Sequence, residues 1–425
     1  MNLTSDIVKS AGIHTYMGGH AIDAFTDYAV RNKYQRLVIV ADDNTYNVMG
    51  NRVERALQKN SIKPHTLVLH GNGHPINAGT RSVLDVLIAL EAGTEVVVAV
   101  GSGTITDIVR FVSHRTRLPF ISIPTAASVD AYSSITTSIM VEEVKRSLQA
   151  KQPKAIFVSI DTLRKAPQTM TAAGFGDMLA KYTAIADWKL AHLLVGEPYD
   201  DSIVQSIKTA LQQCIDNVKG IGTHSKQDIQ LLMEGLFVSG ICMAAAKNSR
   251  PAAGSEHSLA HFWEMTHPEN GKPVALHGAR TGVATGVISG IYEQLRSLSY
   301  QEVEKWVQAA ALPQISEETA GIQNVFGESG PQINDSRFSF LGMSQTDFQQ
   351  LKKSILINWD EIVAISSEVP SRERIVSLLH QAKGASDPLE IGIAEEQVSQ
   401  ALRWSSYLRD RFTVLELNQI LKLND

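Results

Sequence analysis

The sequence of 425 residues has only two cysteines, Cys214 and Cys242, and so few thiols exclude both a disulfide scaffold and a cysteine-rich zinc or iron–sulfur module. A basic excess is absent as well, since 39 lysines and arginines against 44 aspartates and glutamates leave a net charge of −5. Nucleic-acid-binding proteins usually carry a basic excess or a basic stripe. We therefore expect no nucleic-acid partner.

Long hydrophobic runs are also missing, because no window approaches the roughly 18 uncharged apolar residues that a bilayer-spanning helix needs. The most apolar stretch, near residue 240, contains Glu234 and is predicted to be a buried core helix. The first residues carry Asp6 where the apolar core of a signal peptide would be. These features predict a soluble, cytoplasmic protein with no membrane partner.

What the first third does contain is an alternation of compact apolar runs with amphipathic stretches. The runs are RLVIV at 36–40, HTLVLH at 65–70, EVVVAV at 95–100 and PFISIP at 119–124. Near-continuous apolar strands separated by helical segments are typical of a parallel sheet covered on both faces. Two further runs, SSITTSIMV and KAIFVSI, flank a charged segment, and we predict that they add antiparallel strands.

From about residue 166 onward the apolar residues recur at three-to-four spacing, which indicates helices almost throughout. The sequence therefore predicts two domains. The first is an α/β Rossmann-like domain over residues 1–165, and the second is an all-α domain over residues 166–425.

A glycine turn follows the strongest predicted strand. Gly101-Ser102-Gly103 lies between EVVVAV and a helix predicted from about Thr104 to His114. Glycines here let a backbone approach a phosphate, and a helix N-terminus offers free N–H groups and a positive dipole end. The alternative is a tight turn that needs glycine only for its backbone angles. The spacing departs from G-x-G-x-x-G, so the ordinary dinucleotide-binding fingerprint is not present.

An acid after the first predicted strand favours a cofactor role for this turn. Asp42 or Asp43 stands just past RLVIV. A carboxylate at such a position can bind the adenosine ribose hydroxyls of NAD and repel the additional phosphate of NADP. Either aspartate could instead cap the following helix. The sequence thus predicts NAD(H) as cofactor, with NADP(H) as the alternative.

Four residues in the helical half have the types and spacing of a metal site. Asp177 falls in G-F-G-D at the predicted start of a helix, and His277 opens H-G-A-R-T-G. His257 and His261 stand four apart in S-E-H-S-L-A-H, and such a pair projects from one helical face. This spacing suits metal binding or a ligand-plus-relay arrangement. The alternatives are a helix-dipole role for the aspartate and core histidines bonded to carbonyl groups.

Five motifs occur in the order seen in metal-dependent polyol dehydrogenases: G-S-G-T-I-T-D, I-P-T-A-A-S-V-D-A-Y-S-S, G-F-G-D-M-L-A-K, R-P-A-A-G-S-E-H-S-L-A-H and L-H-G-A-R-T-G-V-A-T-G. The superfamily that they resemble includes iron-type alcohol dehydrogenases, glycerol dehydrogenase and dehydroquinate synthase. Within it, R-P-A-A-G-S-E-H and L-H-G are most similar to the sn-glycerol-1-phosphate dehydrogenase family, and the chain length resembles its bacterial branch. The resemblance covers about residues 10–300 and implies a dehydroquinate synthase-like fold.

The resemblance also implies roles for individual residues. Asp177, His257 and His277 match three metal ligands. His261 and Asp130 match residues near the substrate and nicotinamide, and we predict that these two are catalytic. The predicted cofactor-binding residues are Asp42, Gly101, Ser102, Gly103, Thr104, Asp107, Thr125 and Ser128. Ser102 departs from the usual G-G-G-S form, in which a glycine stands at its position.

By the same resemblance, the expected reaction is reversible hydride transfer between NAD(P)H and dihydroxyacetone phosphate, producing sn-glycerol 1-phosphate. One divalent metal ion per chain, zinc, nickel or iron(II), would polarise the ketone oxygen. Arg250 and Arg280 lie beside the ligand motifs and are predicted to bind the substrate phosphate, because a guanidinium matches phosphate geometry. Each is otherwise a surface or helix-end charge. A homodimer, common in this family, is expected.

Three other functions stay open at this stage. One is a dehydrogenase for an unphosphorylated polyol such as glycerol, which assays on both substrates would separate. Another is a dehydroquinate synthase-like lyase, whose metal site generally has Glu where Asp177 stands. The third is a catalytically silent binding protein on the same fold, which a metal titration would reveal.

Overall fold

The computed structural model describes residues 11–71, 75–141, 144–266, 275–327, 330 and 339–423. The chain divides into two compact units. Unit 1 contains the described residues up to Met178 and the segment Ser206–Ser249, and unit 2 contains Leu179–Gln205 and the described residues from Arg250 onward. The predicted single boundary at residue 165 differs from this division, because the helical segment 206–249 packs with the N-terminal unit.

Unit 1 contains all eight strands of the described chain. They are β1 (His14–Gly18), β2 (Leu37–Asp42), β3 (His65–Leu69), β4 (Val96–Gly101), β5 (Phe120–Pro124), β6 (Thr136–Val141), β7 (Val144–Gln149) and β8 (Ala155–Ser159). Six of them form a parallel sheet in the order β1-β8-β5-β4-β2-β3. The four apolar runs of the first third are β2, β3, β4 and β5, as predicted.

The sheet is apolar on both faces because successive residues of its central strands β2 and β4 are apolar up to the last residue of each strand. Alternate side chains of a strand point to opposite faces. One core takes Leu37, Ile39 and Ala41 from β2 with Val96, Val98 and Val100 from β4. The second core takes the intervening Val38 and Val40 with Val97 and Ala99. Full burial of a valine or leucine side chain contributes roughly 1.5–3 kcal/mol, so both faces are strongly stabilised.

The helices of the chain up to residue 246 are α1 (Ala21–Arg31), α2 (Asn51–Lys59), α3 (Thr80–Ala89), α4 (Gly103–Thr116), α5 (Gln168–Leu179), α6 (Lys181–Val195), α7 (Asp201–Asp216) and α8 (Lys226–Ala246). A short helix Asp43–Thr45 and a π-helical turn Tyr46–Gly50 lead into α2. Further single turns are Ala131–Ser133, Ile160–Leu163 and Val218–Gly222.

The prediction that KAIFVSI is an antiparallel strand is wrong. This run is β8, which lies in the parallel sheet between β1 and β5. The antiparallel partner of β6 is β7, which the charged segment supplies. A hairpin with one polar face tolerates charges in its strands, whereas a strand buried on both faces must be apolar. KAIFVSI lies in the main sheet because its side chains are apolar enough to be buried on both faces.

Helix α8 is the apolar stretch near residue 240, and it is a core helix of unit 1. It is the one helix of the described residues with the length and composition to cross a membrane, but 67% of its most apolar window is buried inside the structure. Ser133 Oγ donates a hydrogen bond to the carbonyl of Phe237 at 2.8 Å. A Cβ atom at Gly240 would lie 2.3 Å from Ser133 Oγ, so the helix approaches this turn closely.

Unit 2 is helical in its described residues. Beyond α6, its helices are α9 (Ser255–Thr266), α10 (His277–Ser297), α11 (Tyr300–Ala309), α12 (Ile315–Phe326), α13 (Gln345–Ile357), α14 (Trp359–Ser367), α15 (Arg372–Gln381), α16 (Glu395–Trp404) and α17 (Val414–Leu421), with short turns at Ser339–Gly342, Pro388–Ile391 and Ser405–Leu408. One apolar core joins most of them. The last hundred residues, whose role the motifs left unassigned, pack into this core.

A buried capping box begins α17. The backbone N–H and the hydroxyl of Thr413 both donate to Glu416 Oε2 at 2.7 Å. Glu416 is only 1% exposed. Burial raises the pKa of its carboxyl to about 7, although the hydrogen bonds from Thr413 favour the ionised form. Ionising Glu416 therefore costs more in the folded protein than in water.

We expect Glu416 to make the protein less stable as the pH rises. Its folded pKa of about 7 lies above the ordinary value of 4.5, so the native state holds the proton more tightly than the unfolded chain. Its contribution to stability is complete below the ordinary pKa and is lost as the pH rises to about 7. In thermal unfolding, Glu416→Gln should remove a fall on the order of 3 kcal/mol in the free energy of unfolding across this window.

Glu302→Gln is the matched control, since Glu302 closes an exposed capping box with Ser299 at the start of α11. Hydrogen bonds from Ser299 lower the pKa of this carboxyl. Its stabilising effect is lost as the pH falls through that lowered pKa, so the control should differ from the parent in pH dependence only at acid pH. An unchanged profile between the ordinary pKa and pH 7 in Glu416→Gln would contradict the assignment.

Candidate functional site

The predicted glycine turn has the geometry of an anion site in unit 1. Strand β4 ends at Gly101, Ser102 is the N-cap residue, and α4 begins at Gly103. Within the described chain, Ser102 makes no side-chain capping hydrogen bond. The first N–H groups of a helix have no partner inside the helix, and the helix dipole adds a positive potential there. This N-terminus can hold a phosphate group.

Close packing also requires both glycines. A Cβ atom at Gly101 would lie 2.6 Å from Cβ of Ile105, and one at Gly103 would lie 2.9 Å from Cγ2 of Val129. The backbone therefore turns against its own helix at one glycine and against the loop after β5 at the other. The two interpretations of the glycines, packing and phosphate approach, are compatible.

Asp42 is the N-cap residue of the short helix Asp43–Thr45. Its Oδ1 accepts a hydrogen bond from the backbone N–H of Thr45 at 2.8 Å, and its own N–H donates to Thr45 Oγ1 at 2.9 Å. Asp43 instead pairs with His70, with Oδ1 2.7 Å from Nδ1, and both side chains are exposed. The capping alternative is thus correct for Asp42, which keeps its carboxylate at the carboxyl end of β2.

The residues after β5 lie at the same edge of the sheet as the glycine turn. Strands β4 and β5 are in register there, with Gly101 opposite Pro124, and the N–H of Thr125 donates to the carbonyl of Gly101 at 3.2 Å. Ser128 is buried, and its Oγ lies 3.4 Å from the Tyr132 hydroxyl. Within unit 1 the structure therefore brings the predicted cofactor-binding residues to one edge.

Arg110 is a buried residue of this edge that sequence reasoning missed. Its guanidinium donates to the Asp107 carboxylate at 3.1 Å and to the carbonyls of Ala131, Tyr132 and Thr136. Burial lowers the pKa of this guanidinium, and the neighbouring Asp107 opposes the shift. Arg110 thus fixes the loop that carries Asp130 to the same helix that begins at Gly103. An arginine on the buried face of a predicted amphipathic helix was the available signal.

Asp177 lies near the end of α5, not at the start of a helix as predicted. The helix begins at Gln168, so G-F-G lies inside it and does not precede it. Glycine at position 174 lets the helix pack closely against the backbone of Ala127, whose carbonyl oxygen a Cβ atom would overlap. Asp177 Oδ2 accepts the backbone N–H of Asp130 at 2.9 Å. Ser239 Oγ in turn donates to Asp130 Oδ2 at 2.7 Å. Both aspartates are buried and fixed by hydrogen bonds.

Three predicted histidines converge in unit 2. His257 and His261 lie one turn apart on α9 with ring centroids 6.2 Å apart, as the spacing predicts. His277 is the first residue of α10, and its ring centroid lies 5.3 Å from that of His257 and 5.6 Å from that of His261. Imidazoles this close, on two helices, can supply ligands to one metal ion.

Glu256 is a second residue that the motifs did not single out. Its Oε1 lies 2.7 Å from Nδ1 of His257 and accepts the backbone N–H of Gly254, while Oε2 accepts the hydroxyl of Thr183. Burial raises the pKa of this carboxyl, and the hydrogen bonds from Gly254 and Thr183 and the buried Lys181 oppose the shift by stabilising the anion. Its place in S-E-H gave no sign of which way the side chain would turn.

Asp187 positions the start of the helix that carries both histidines. Its Oδ2 accepts the N–H of Ser255, and its Oδ1 accepts the Tyr292 hydroxyl and the N–H of Val414, all within 2.8 Å. Burial raises the pKa of Asp187 to about 6, with a further rise from the nearby Glu256. This single carboxylate therefore ties α9 to α10 and α17.

The arginines near the histidines have different surroundings from those predicted. Arg250 is 2% exposed, and its guanidinium donates to both carboxylate oxygens of Glu197 and to the carbonyl of Phe412. These contacts give Arg250 a structural role and argue against its predicted contact with substrate phosphate. Arg280 is buried one turn after His277 on α10. The arginine that contacts a histidine is Arg409, with Nη2 3.2 Å from His261 Nδ1.

A second set of potential ligands overlaps the predicted histidines in unit 2. Nitrogen atoms of His261 and His277 and a carboxylate oxygen of Glu264 all lie within 4.8 Å of one another. Two imidazoles and one carboxylate form a common metal-binding set. Residues of unit 2 alone therefore offer a ligand set that competes with the predicted set of Asp177, His257 and His277 for the imidazole of His277.

We expect Gly101→Ala to disturb the turn and lower affinity for NADH. The new methyl group would overlap Ile105, and overpacking of this kind typically costs 1–3 kcal/mol while displacing the first turn of α4. Gly19→Ala is the control in the same unit, because its Cβ would meet only Asp161 Oδ2 at 4.0 Å. Thermal unfolding and NADH fluorescence titration measure both effects, and equal affinities in the two variants would refute this role for the turn.

Comparison with known proteins places these residues in a family. Residues 16–167 match the family described as iron-containing alcohol dehydrogenase. A crystal structure of glycerol dehydrogenase from Schizosaccharomyces pombe shares the fold, with a TM-score of 0.54 at 16% identity over 94% of this chain and 93% of that one. The architecture is thus a parallel-sheet N-terminal region followed by a mostly helical region, as predicted.

Sequence similarity is closer. The chain is 35% identical over 410 residues to the glycerol-1-phosphate dehydrogenase (NAD(P)+) of Geobacillus stearothermophilus, covering 95% of this chain and 92% of that protein. It is 41% identical over 280 residues to the protein of the same name from Bacillus subtilis (strain 168), covering 66% of this chain and 71% of that protein. The chain belongs to the glycerol-1-phosphate dehydrogenase family.

Proposed function

We propose that this chain catalyses reversible hydride transfer between NAD(P)H and dihydroxyacetone phosphate, forming sn-glycerol 1-phosphate. The observation that carries the proposal is the convergence of His257, His261 and His277 in unit 2, with ring centroids 5.3–6.2 Å apart. The substrate class follows from the family, whose relatives match along most of the chain.

Asp177, His257 and His277 are the proposed ligands of one divalent metal ion. A carboxylate with two imidazoles suits zinc, nickel or iron(II). The surroundings of His257 fit such a role, because ligating histidines usually donate their other ring N–H to a carboxylate, and Glu256 lies at Nδ1. When bound, the metal would act as a Lewis acid on the substrate carbonyl.

The edge of the sheet in unit 1 is the proposed nicotinamide-cofactor site. The N–H groups at Gly103 and Thr104 begin α4 and would hold the pyrophosphate. Asp42, at the end of β2, would meet the adenosine ribose and favour NADH over NADPH. Thr125 and Ser128 line the same edge, and Asp130, which Ser239 holds by a hydrogen bond, would lie near the nicotinamide.

The remaining residues handle the substrate and the proton. His261 is the proposed donor of a proton or a hydrogen bond to the carbonyl oxygen as hydride reaches its carbon. Arg280 is the proposed phosphate ligand, because a guanidinium forms bidentate hydrogen bonds with phosphate; Arg250 is engaged by Glu197. We also propose a cytoplasmic homodimer that acts on a small phosphorylated substrate and has neither a nucleic-acid nor a membrane partner.

The deciding experiment is an NADH-oxidation assay on dihydroxyacetone phosphate after chelation and separate re-addition of zinc, nickel and iron(II). Glycerol with NAD+ serves as the parallel substrate for an unphosphorylated polyol dehydrogenase. Activity that returns with one of these metals and requires the phosphorylated substrate supports the proposal. Metal-independent turnover, or a preference for glycerol, would overturn it.

We expect His257→Ala to lose bound metal and turnover together, because it removes one of three protein ligands. His192→Ala is the control, since that imidazole is a surface residue of α6 in the same unit, bonded to the carbonyl of Glu197. Metal analysis by mass spectrometry and the NADH assay measure both quantities. Stoichiometric metal and near-normal turnover in His257→Ala would reject this ligand.

His261→Ala should separate proton delivery from metal binding. We expect it to retain the metal and to lose turnover by about 10²–10⁴-fold if proton transfer limits the rate, which is the usual contribution of general acid–base catalysis. If the imidazole merely packs in α9, the variant would lose thermal stability with little kinetic effect. Metal loss as large as that of His257→Ala would show that His261 is a ligand.

A further inference from the structure

Two imidazoles on the same helix of unit 2 have neighbours of opposite charge. His257 and His261 lie one turn apart on α9, with their ring planes at 88°. Nδ1 of His257 lies 2.7 Å from a carboxylate oxygen of Glu256, whereas Nδ1 of His261 lies 3.2 Å from a guanidinium nitrogen of Arg409. The same ring atom thus faces an acceptor in one histidine and a donor in the other.

The contact with Glu256 puts the ring proton of His257 on Nδ1. Oε1 of Glu256 already accepts the backbone N–H of Gly254, and Oε2 accepts the hydroxyl of Thr183. An ionised carboxylate has no proton to donate, so its imidazole neighbour must be the donor. The lone pair of a neutral His257 is then on Nε2, which is the atom able to bind a metal ion.

The contact with Arg409 has the opposite effect on His261. A guanidinium carries five N–H donors, has no acceptor and stays protonated in proteins. Nδ1 of His261 must therefore accept, and the proton of the neutral ring is on Nε2. In this form the Nε2–H can donate a hydrogen bond to a substrate oxygen, but Nε2 cannot bind a metal ion.

This difference matters because unit 2 offers a rival ligand set. Atoms of His261, Glu264 and His277 lie within 4.8 Å of one another. A metal bound by these three would take His277 away from His257 and would also occupy the proposed proton donor. Spacing along α9 cannot prevent this, because both histidines lie on the face next to His277.

We propose that Glu256 and Arg409 are positioning residues that set opposite tautomers in the two histidines, so that the metal binds through His257 and His277 while His261 keeps its Nε2–H as a hydrogen-bond donor to the substrate. The assignment rests on the proposed function for the identity of His257 as a ligand. It makes Arg409, in the C-terminal part of unit 2, the residue that keeps the rival set from binding metal.

The direct test is long-range ¹H–¹⁵N NMR of the full-length, metal-free protein labelled at histidine, which distinguishes Nδ1–H from Nε2–H rings. Signals are assigned with His257→Ala and His261→Ala. We expect His257 to carry its proton on Nδ1 and His261 on Nε2. In Arg409→Met the His261 pattern should change, and Arg409→Lys, which keeps a donor, should restore it. The reverse pattern in the parent would overturn the proposal.

Cobalt(II) titration followed by visible absorption supplies the second readout. The parent should bind one equivalent. Glu256→Gln should bind it about 10–100-fold more weakly, the usual effect of losing such a partner. Arg409→Met should still bind one equivalent in total, because the two ligand sets share His277, but part of the cobalt should move to His261, Glu264 and His277. This shift should change the visible spectrum and lower turnover, and adding Glu264→Gln should restore the spectrum of the parent.

Arg411→Met is the matched control, because Arg411 donates to the carbonyl of Ala253 and its removal tests a merely structural role. It should lower thermal stability without changing the cobalt spectrum. A changed spectrum in this control, or the parent spectrum in Arg409→Met, would overturn the role of Arg409. If the parent binds no cobalt, the proposed function fails; if it binds one equivalent but shows the reverse tautomers, only this inference fails.

Discussion

The arrangement of the histidines in unit 2 depends on one buried carboxylate, that of Asp187. It accepts hydrogen bonds from the first residue of α9, from Tyr292 of α10 and from the N–H of Val414 at the start of α17. Leaving a buried donor without a partner costs about 1–3 kcal/mol, and three donors meet here. The approach is so close that a Cβ atom at Gly254 would lie 2.4 Å from Asp187 Oδ2. The helix that carries His257 therefore has one permitted position in this unit.

Each unit uses the beginning of a helix to present its polar groups, and in each the local sequence explains why the helix begins there. In unit 1, glycines let β4 turn directly into α4 at Gly103. In unit 2, α9 begins at Ser255, whose N–H is bound by Asp187, and α10 begins at His277 itself. Backbone N–H groups that lack helical partners are thus either satisfied by a buried acid or left for an anion.

Local periodicity predicted much of this. Patterns within a few neighbouring residues were enough to predict the strand runs, the helix after Gly103 and the shared helical face of His257 and His261. What local pattern could not supply was pairing at long range: β8 entered the parallel sheet because β7 took the antiparallel place beside β6. The partner of His261 likewise lies 148 residues away. Local pattern also could not predict side-chain direction. The carboxylate of Glu256 lies beside its neighbour His257 and accepts hydrogen bonds from the N–H of Gly254 and the hydroxyl of Thr183.

Arg110 holds the loop that follows β5 mainly through hydrogen bonds to backbone carbonyl groups of that loop. Apart from Asp107, its partners are the carbonyls of Ala131, Tyr132 and Thr136. Every residue type has a carbonyl, so side chains in this loop can be exchanged without releasing it from α4. Lysine could not take over the anchor, because an ammonium lacks the planar fork that reaches several acceptors at once. One arginine therefore preserves the path of this loop whatever side chains the loop carries.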